Sequence, residues 1–122
     1  MRAELYFGLC IYAGDHLASK SPSPFVLEPG LILPSCSAAV YVAEGEGELV
    51  LYVGSVCRTS SGGLRARLGE HLAQPERFRG WHQLTVFPLK DETEDSQVRR
   101  VEGRIGAHLA PLMSKRLPGL GR

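Results

Sequence analysis

The sequence contains no uninterrupted apolar run that approaches the ~20 residues a helix needs to cross a bilayer. Charged side chains, Arg2, Glu4 and Asp15, also interrupt the beginning of the chain. We do not interpret this stretch as a secretory signal peptide either. We therefore expect no membrane span and no membrane partner.

Cysteine is scarce. The chain has three, Cys10, Cys36 and Cys57, and none of them belongs to a Cys-x-x-Cys spacing. Three cysteines cannot all pair within one chain, and their spacing does not fit a zinc site. This favours reduced thiols and a cytoplasmic location.

Net charge is also small, +1 over the whole chain, whereas proteins that bind nucleic acid usually cluster Lys and Arg. The charge is unevenly distributed, however. Residues 1–56 hold two basic and six acidic residues, a net charge of −4, and residues 57–122 hold twelve basic and seven acidic residues, a net charge of +5. This asymmetry is compatible with a polyanionic partner, and equally with an ordinary solvated basic surface.

The length, 122 residues, allows one domain with a single core, and 43% hydrophobic with 22% charged residues is ordinary for a globular protein. Apolar residues at helical spacing predict an amphipathic helix over residues 3–18. Prolines then interrupt the chain as far as Pro34. We expect residues 1–36 to form an N-terminal helix and a wrapping linker, and residues 37–122 to form the functional domain.

Three stretches are typical of strands. Residues 38–43 and 49–53 are rich in β-branched and aromatic side chains, and the glycine-containing segment between them predicts a turn, so the pair forms an antiparallel hairpin. The alternation over 81–89 predicts a third strand with Trp81 and Phe87 on the same side.

Two helices are predicted after the hairpin. One begins near Leu64 and places Leu64, Leu68 and Leu72 on one face. The other follows an acidic stretch and is capped by Ser96. Its buried stripe consists of Val98, Val101, Ile105, Leu109 and Leu112. The expected fold is α+β, a small three-stranded antiparallel sheet flanked by helices, with an extra N-terminal helix.

Five polar residues stand at notable positions in this plan. Tyr41 and Tyr52 lie on the paired strands, Arg67 and His71 lie four residues apart on one helix, and Glu102 lies at the edge of the last helix's apolar stripe. Each has an ordinary explanation when it is taken alone. The tyrosines suit a cross-strand aromatic pair, the arginine a solvated surface, and the glutamate an ion pair along its helix.

Their order and spacing resemble the GIY-YIG nuclease family over about residues 33–116. Ala39-Val40-Tyr41 stands where that family has Gly-Ile-Tyr, and Tyr52-Val53-Gly54 stands at its second signature. The Leu-x-x-Arg-x-x-x-His pattern from Leu64 to His71 follows, and then a helix carrying Glu102. A histidine four residues after the arginine is similar to the homing and restriction branches rather than to the excision-repair branch.

The resemblance implies the fold named above and an endonuclease that hydrolyses phosphodiester bonds of DNA with Mg²⁺ or Mn²⁺. It implies that Glu102 binds the metal ion, which suits a hard oxygen ligand, and that Arg67 contacts the scissile phosphate. Tyr41 would act as general base or orient the attacking water, with Tyr52 and His71 in support. An ordinary tyrosine pKa of ~10 makes a poor base at neutral pH, so His71 stays open as the proton acceptor.

Residues beside these positions are predicted to bind substrate, namely Ser55, Arg58, Arg65 and Ser114. Ser114 stands twelve residues after Glu102, where the family usually has Asn. This departure motivates an alternative, a DNA-binding or interaction module that has little or no turnover. Two hypotheses would explain how such a protein selects its DNA. It forms a homodimer, or it depends on a separate DNA-targeting partner.

Overall fold

A computed structural model describes residues 1–18, 24–26, 36–57, 63–73 and 80–110, and for residues 24–26, 48, 67, 71 and 72 only the backbone is described. In chain order the elements are α1 (Ala3–Ala13), β1 (Pro24–Val26), β2 (Ala38–Glu44), β3 (Val50–Cys57), α2 (Gly63–Leu72), β4 (Gln83–Pro88) and α3 (Asp95–Leu109). None of the described helices is both long enough and apolar enough to span a membrane.

The described strands form one antiparallel sheet in the order β1-β4-β2-β3. The predicted hairpin is present as β2 and β3, and the predicted third strand is β4, which pairs with the other side of β2. The expected α+β fold with its antiparallel sheet, flanking helices and N-terminal helix is therefore confirmed. β1 adds a short edge strand, pairing Pro24 with Thr85 and Val26 with Gln83, inside the stretch expected to be a linker.

β2 is the central strand, and each of its seven residues is buried. Alternation sends Val40 and Val42 to one face of the sheet and Ala39, Tyr41 and Ala43 to the other. Helices cover both faces, which is why the strand carries apolar side chains at successive positions. The same alternation determines which residues of β3 and β4 can meet each helix.

One side of the sheet, here the α1/α3 face, is covered by α1 and α3. Tyr6 of α1 stacks on Phe87 of β4 with ring centroids 4.7 Å apart. From α3, the predicted stripe is buried as expected at Val98, Val101, Ile105 and Leu109. Burying each such aliphatic side chain stabilises the fold by about 1.5–3 kcal/mol, so this face holds α3 firmly in place.

The other side, here the α2 face, is covered by α2. Leu64 and Leu68 are fully buried, one turn apart, against a cluster that includes Tyr41 and Val86. The helix is joined to the start of β2 by a hydrogen bond of 2.9 Å from the Leu64 amide to the Cys36 carbonyl. The predicted leucine face is thereby confirmed at its two described positions.

Two predicted helix boundaries were wrong. The helix expected over residues 3–18 ends at Ala13, because Gly14 turns the chain with a φ of 53° and a short 3₁₀ helix, Gly14–His16, follows. Ser96 does not cap α3. Glu94 occupies the N-cap position, without a side-chain cap, so Ser96 lies within the first turn.

The predicted position of Trp81 was also wrong. It precedes the first residue of β4, so the strand's alternation does not determine its direction. Trp81 packs with Leu84 and Val86 in the α2-face cluster, whereas Phe87 lies on the α1/α3 face. This brings a third aromatic ring to the face that carries the tyrosines.

Candidate functional site

Tyr41 and Tyr52 lie on the α2 face of the β2–β3 hairpin. Tyr41 pairs with Gly54 and Ala43 pairs with Tyr52, so the two tyrosines are diagonal neighbours on one face. Their ring centroids are 6.2 Å apart with planes inclined by 30°. The predicted proximity of the two tyrosines is thus present, with Tyr41 fully buried and Tyr52 half-buried.

Trp81 extends this pair to three rings. Its centroid lies 5.5 Å from that of Tyr52, with planes inclined by 28°. The sequence predicted Trp81 on the same side of a strand as Phe87 and did not place it against Tyr52. A pattern of alternation carried no signal for this contact, because Trp81 lies outside the strand.

Gly54 lets the two tyrosines approach the backbone of β3. A Cβ at this position would lie 2.7 Å from both Cζ and Oη of Tyr41 and 2.8 Å from Cε2 of Tyr52. Such distances are too short for nonbonded carbon and oxygen atoms, so any larger residue would displace a ring. The Tyr-Val-Gly sequence is therefore explained locally, by two rings that pack over a residue without a side chain.

Ser55 and Glu102, which the sequence did not pair, are neighbours on a different face. The Ser55 hydroxyl donates a hydrogen bond of 2.5 Å to Oε1 of Glu102. Ser55 pairs with Val40 of β2, which belongs to the α1/α3-face core. Glu102 extends from α3 beside the buried Val101, half-buried at the edge of the apolar stripe as predicted.

The predicted site is therefore divided by the sheet. Tyr41 and Tyr52 lie on the α2 face, and Glu102 lies on the α1/α3 face. Within the described sheet β3 is an edge strand, so both faces are adjacent along its outer side. The two tyrosines and Glu102 therefore lie on either side of the β3 edge, and they do not line one pocket on a single face of the sheet. Within β3, Ser55 is an odd number of residues from Tyr52 and so lies on the opposite face from the tyrosine. The strand predicted over residues 49–53 ended before Ser55.

Arg67 and His71 lie in α2, which covers the tyrosine-bearing face, while their side chains fall outside the described part of the structure. Arg58 and Ser114 lie outside the described residues altogether. Arg65 is exposed in the first turn of α2. Of the four predicted substrate-binding residues, the structure therefore locates only Ser55 and Arg65.

Arg65 also influences Cys36, which precedes β2. Burial raises the pKa of the Cys36 thiol, the nearby Asp91 carboxylate raises it further, and the positive charge of Arg65 opposes both. The thiol consequently stays protonated at neutral pH and is a poor nucleophile. None of the three cysteines forms a disulfide bond.

Basic side chains are present on α3 as well. Arg99 forms an exposed ion pair of 3.1 Å with Asp95, and Arg100 and Arg104 are exposed. An exposed pair of this kind contributes about 0–1 kcal/mol, so Arg99 can exchange its carboxylate for a phosphate at little cost. Candidates for phosphate contact therefore exist on α2 and α3, the helices that cover the two faces.

The donor atoms fit one kind of metal ion better than others. Among the described residues no group of three or more His, Cys, Asp or Glu side chains is arranged to hold a metal. Glu102 uses one carboxylate oxygen for Ser55, and its other oxygen makes no hydrogen bond within the described part of the chain. Mg²⁺ often uses one or two protein carboxylates with waters and substrate phosphate, whereas structural zinc needs four protein ligands. The residues fit a hydrated Mg²⁺ or Mn²⁺ at Glu102.

Comparisons with protein-family models, with curated proteins and with solved structures found no match to this chain.

Proposed function

We propose that this chain is a divalent-metal-dependent DNA endonuclease of the GIY-YIG type, with its site at the edge formed by β3. The observation that carries this proposal is the pairing of two features on successive residues of one strand. Tyr41 and Tyr52 pack over Gly54, and the next residue, Ser55, holds the carboxylate of Glu102. In the family that the sequence resembles, both tyrosines and the glutamate belong to the catalytic site.

Phosphodiester hydrolysis needs an activated water, positive charge near the phosphate and help for the departing oxygen. Glu102 would hold Mg²⁺ or Mn²⁺, which when bound stabilises the charge on the phosphate and the leaving oxygen. Arg67 is suited to bind the phosphate through two parallel hydrogen bonds, a geometry that lysine lacks. Tyr41 or His71 accepts the proton of the attacking water, and Tyr52 supports the neighbouring ring.

The edge position suits a DNA backbone that passes along β3. α2, which covers one face of the sheet, carries Arg65 and Arg67 in its sequence, and α3, which covers the other face, carries Arg99. Arginines on both sides would hold the backbone against the strand, with most contacts made to phosphates. We expect such binding to weaken steeply with salt and to depend little on base sequence.

A second candidate function is a DNA-binding or interaction module with little or no turnover. Two observations favour it. Tyr41 has no exposed surface, so a water molecule has no direct access to it, and Glu102 lies across the sheet from both tyrosines. Ser114, in place of the family's Asn, points in the same direction.

A plasmid-nicking assay and a mobility-shift assay on the same preparations separate the two candidates. The endonuclease nicks supercoiled plasmid with Mg²⁺, and Arg67→Ala abolishes nicking. The matched control Arg2→Ala, which removes an exposed arginine just before α1, leaves nicking unchanged. An intact plasmid together with a retained mobility shift would establish the second candidate. If Ser114→Asn then restores nicking, the missing amide is the cause of the lost turnover.

The cellular location and the partners of the chain are part of the same proposal. Thiols that form no disulfide bond suit the cytoplasm, and DNA would be the partner. A domain of this size carries little surface for reading base sequence, so targeting would come from a homodimer or from a separate DNA-binding protein.

A further inference from the structure

We propose that Ser55 is a positioning residue that orients Glu102 for metal binding, and that it does not contact substrate. This inference rests on the proposed function. The sequence alone predicted that Ser55 binds substrate, since it follows the Tyr-Val-Gly signature. The structure directs its hydroxyl to the Glu102 carboxylate instead.

The two residues are fixed by different rigid elements. Ser55 lies in the middle of β3, paired with Val40 of the central strand and flanked by the buried Gly54 and Val56. On the other side, Glu102 follows the buried Val101 in α3. A hydrogen bond between a paired strand and a packed helix holds its acceptor more closely than one made from a loop.

The chemistry of a serine hydroxyl excludes a simultaneous role at the phosphate. A hydroxyl has one proton to donate, and a phosphate oxygen can only accept. Because Ser55 donates that proton to Oε1 of Glu102, it has none left for a phosphodiester oxygen. Substrate binding and carboxylate binding by Ser55 are therefore alternatives, and the observed geometry is the second.

The bond also selects which part of Glu102 is available. Engaging Oε1 restrains the carboxylate's rotation and leaves Oε2 without a hydrogen bond among the described residues. Groups that hold a metal-binding side chain in this way typically raise metal affinity or activity by about 10–100-fold. Ser55 therefore prepares one oxygen of Glu102 for the metal ion before that ion binds.

The test measures Mn²⁺ binding directly, by electron paramagnetic resonance of free Mn²⁺ in the absence of DNA. We expect Ser55→Ala to weaken Mn²⁺ binding by about 10-fold, and Ser55→Thr to restore it because threonine keeps the hydroxyl. The matched control is Ser37→Ala, which removes another serine hydroxyl that donates to a carboxylate, Asp91, at 2.7 Å. Ser37→Ala should bind Mn²⁺ as the wild type does.

The second measurement is DNA affinity without metal, by mobility shift, where Ser55→Ala should match the wild type within about twofold. Unchanged Mn²⁺ binding in Ser55→Ala overturns the positioning role, and a weaker mobility shift in that variant restores the substrate-contact hypothesis. Equal losses in Ser55→Ala and Ser37→Ala also overturn it. If the wild type nicks plasmid in these cases, the proposed function survives. A wild type that neither nicks plasmid nor binds Mn²⁺ overturns both.

Discussion

The ring of Tyr41 packs directly on the backbone of Gly54, so closely that a Cβ at position 54 would lie 2.7 Å from the phenol oxygen. These two residues are also register partners on adjacent strands. The glycine of Tyr52-Val53-Gly54 is thus required by the packing of Tyr41. The two tripeptides act as one structural unit, whatever chemistry is performed beside them.

Gly54→Ala should destabilise the protein by about 1–3 kcal/mol, because a well-packed core accommodates an extra methyl group only by moving its neighbours. Urea unfolding measures this change. The matched control is Gly69→Ala in α2, where a Cβ meets nothing within 4 Å. There alanine should stabilise by about 0.5–1 kcal/mol, since it is the better helix former. If Gly54→Ala is no less stable to urea than Gly69→Ala, the packing of Tyr41 over Gly54 is contradicted.

Gly63→Ala should be more destabilising than Gly47→Ala. Gly47 is used as the control because Gly14, with φ 53° and ψ −130°, lies outside the left-handed helical region. Gly63 and Gly47 both have positive φ, 55° and 67°, so each substitution carries a conformational cost of about 1–2 kcal/mol. At Gly63 the Cβ would in addition overlap the carbonyl oxygen of Cys36, whereas at Gly47 it meets open space. Thermal unfolding of the two variants compares these costs, and equal losses would show that the Cys36 contact has no effect.

Tyr41→Phe separates the chemical role of Tyr41 from its packing role. The variant keeps the ring, so the free energy of unfolding should change by no more than about 1.5 kcal/mol. If the phenol handles the proton of the attacking water, plasmid nicking should fall by about 100-fold or more. Full activity in Tyr41→Phe would leave the tyrosine with packing alone and point to His71 as the proton acceptor.

Tyr6 should make the protein less stable in alkali. Burial raises the pKa of its phenol above the ordinary 10.0, with a smaller contribution in the same direction from Cys10. Above pH 10 the unfolded chain loses this proton while the folded protein keeps it. The free energy of unfolding attributable to Tyr6 is therefore intact below pH 10 and falls as pH rises further.

The measurement compares urea unfolding of the wild type and Tyr6→Phe at pH 8 and pH 11. Phenylalanine keeps the stacking on Phe87 and has no proton to lose. The wild type should lose about 1 kcal/mol more than the variant over this interval, since one pH unit beyond the unfolded pKa corresponds to about 1.4 kcal/mol. Equal losses of unfolding free energy in the two proteins would show that folding does not raise the pKa of Tyr6.

Periodicity predicted the elements that are buried along a regular stripe. Val98, Val101, Ile105 and Leu109 appear where a 3.6-residue repeat places them, and the β2–β3 hairpin follows from its composition. The three residues of β1 were missed because a strand so short, within a proline-rich stretch, has no periodic signal. Its pairing is created by β4 and not by local preference.

The proximity of Tyr41 and Tyr52 was predictable from the sequence, whereas the assembly of the site was not. Alternation within β3 places Tyr52 and Ser55 on opposite faces, but the strand predicted over residues 49–53 did not extend to Ser55. Which helix covers which face is a property of the connections and the packing. For that reason the position of Glu102 across the sheet from Tyr41 emerged only from the structure.

The central claim is that Glu102 makes this chain a metal-dependent nuclease. Its most direct test is the rate at which wild type and Glu102→Ala, purified identically, nick supercoiled plasmid with Mg²⁺ and with a chelator. Glu70→Ala, which removes an exposed carboxylate from α2, is the control. We predict nicking by the wild type and the control only with Mg²⁺, and a loss of about 100-fold or more in Glu102→Ala. Equal rates for all three proteins, or nicking that persists in the chelator, would contradict it.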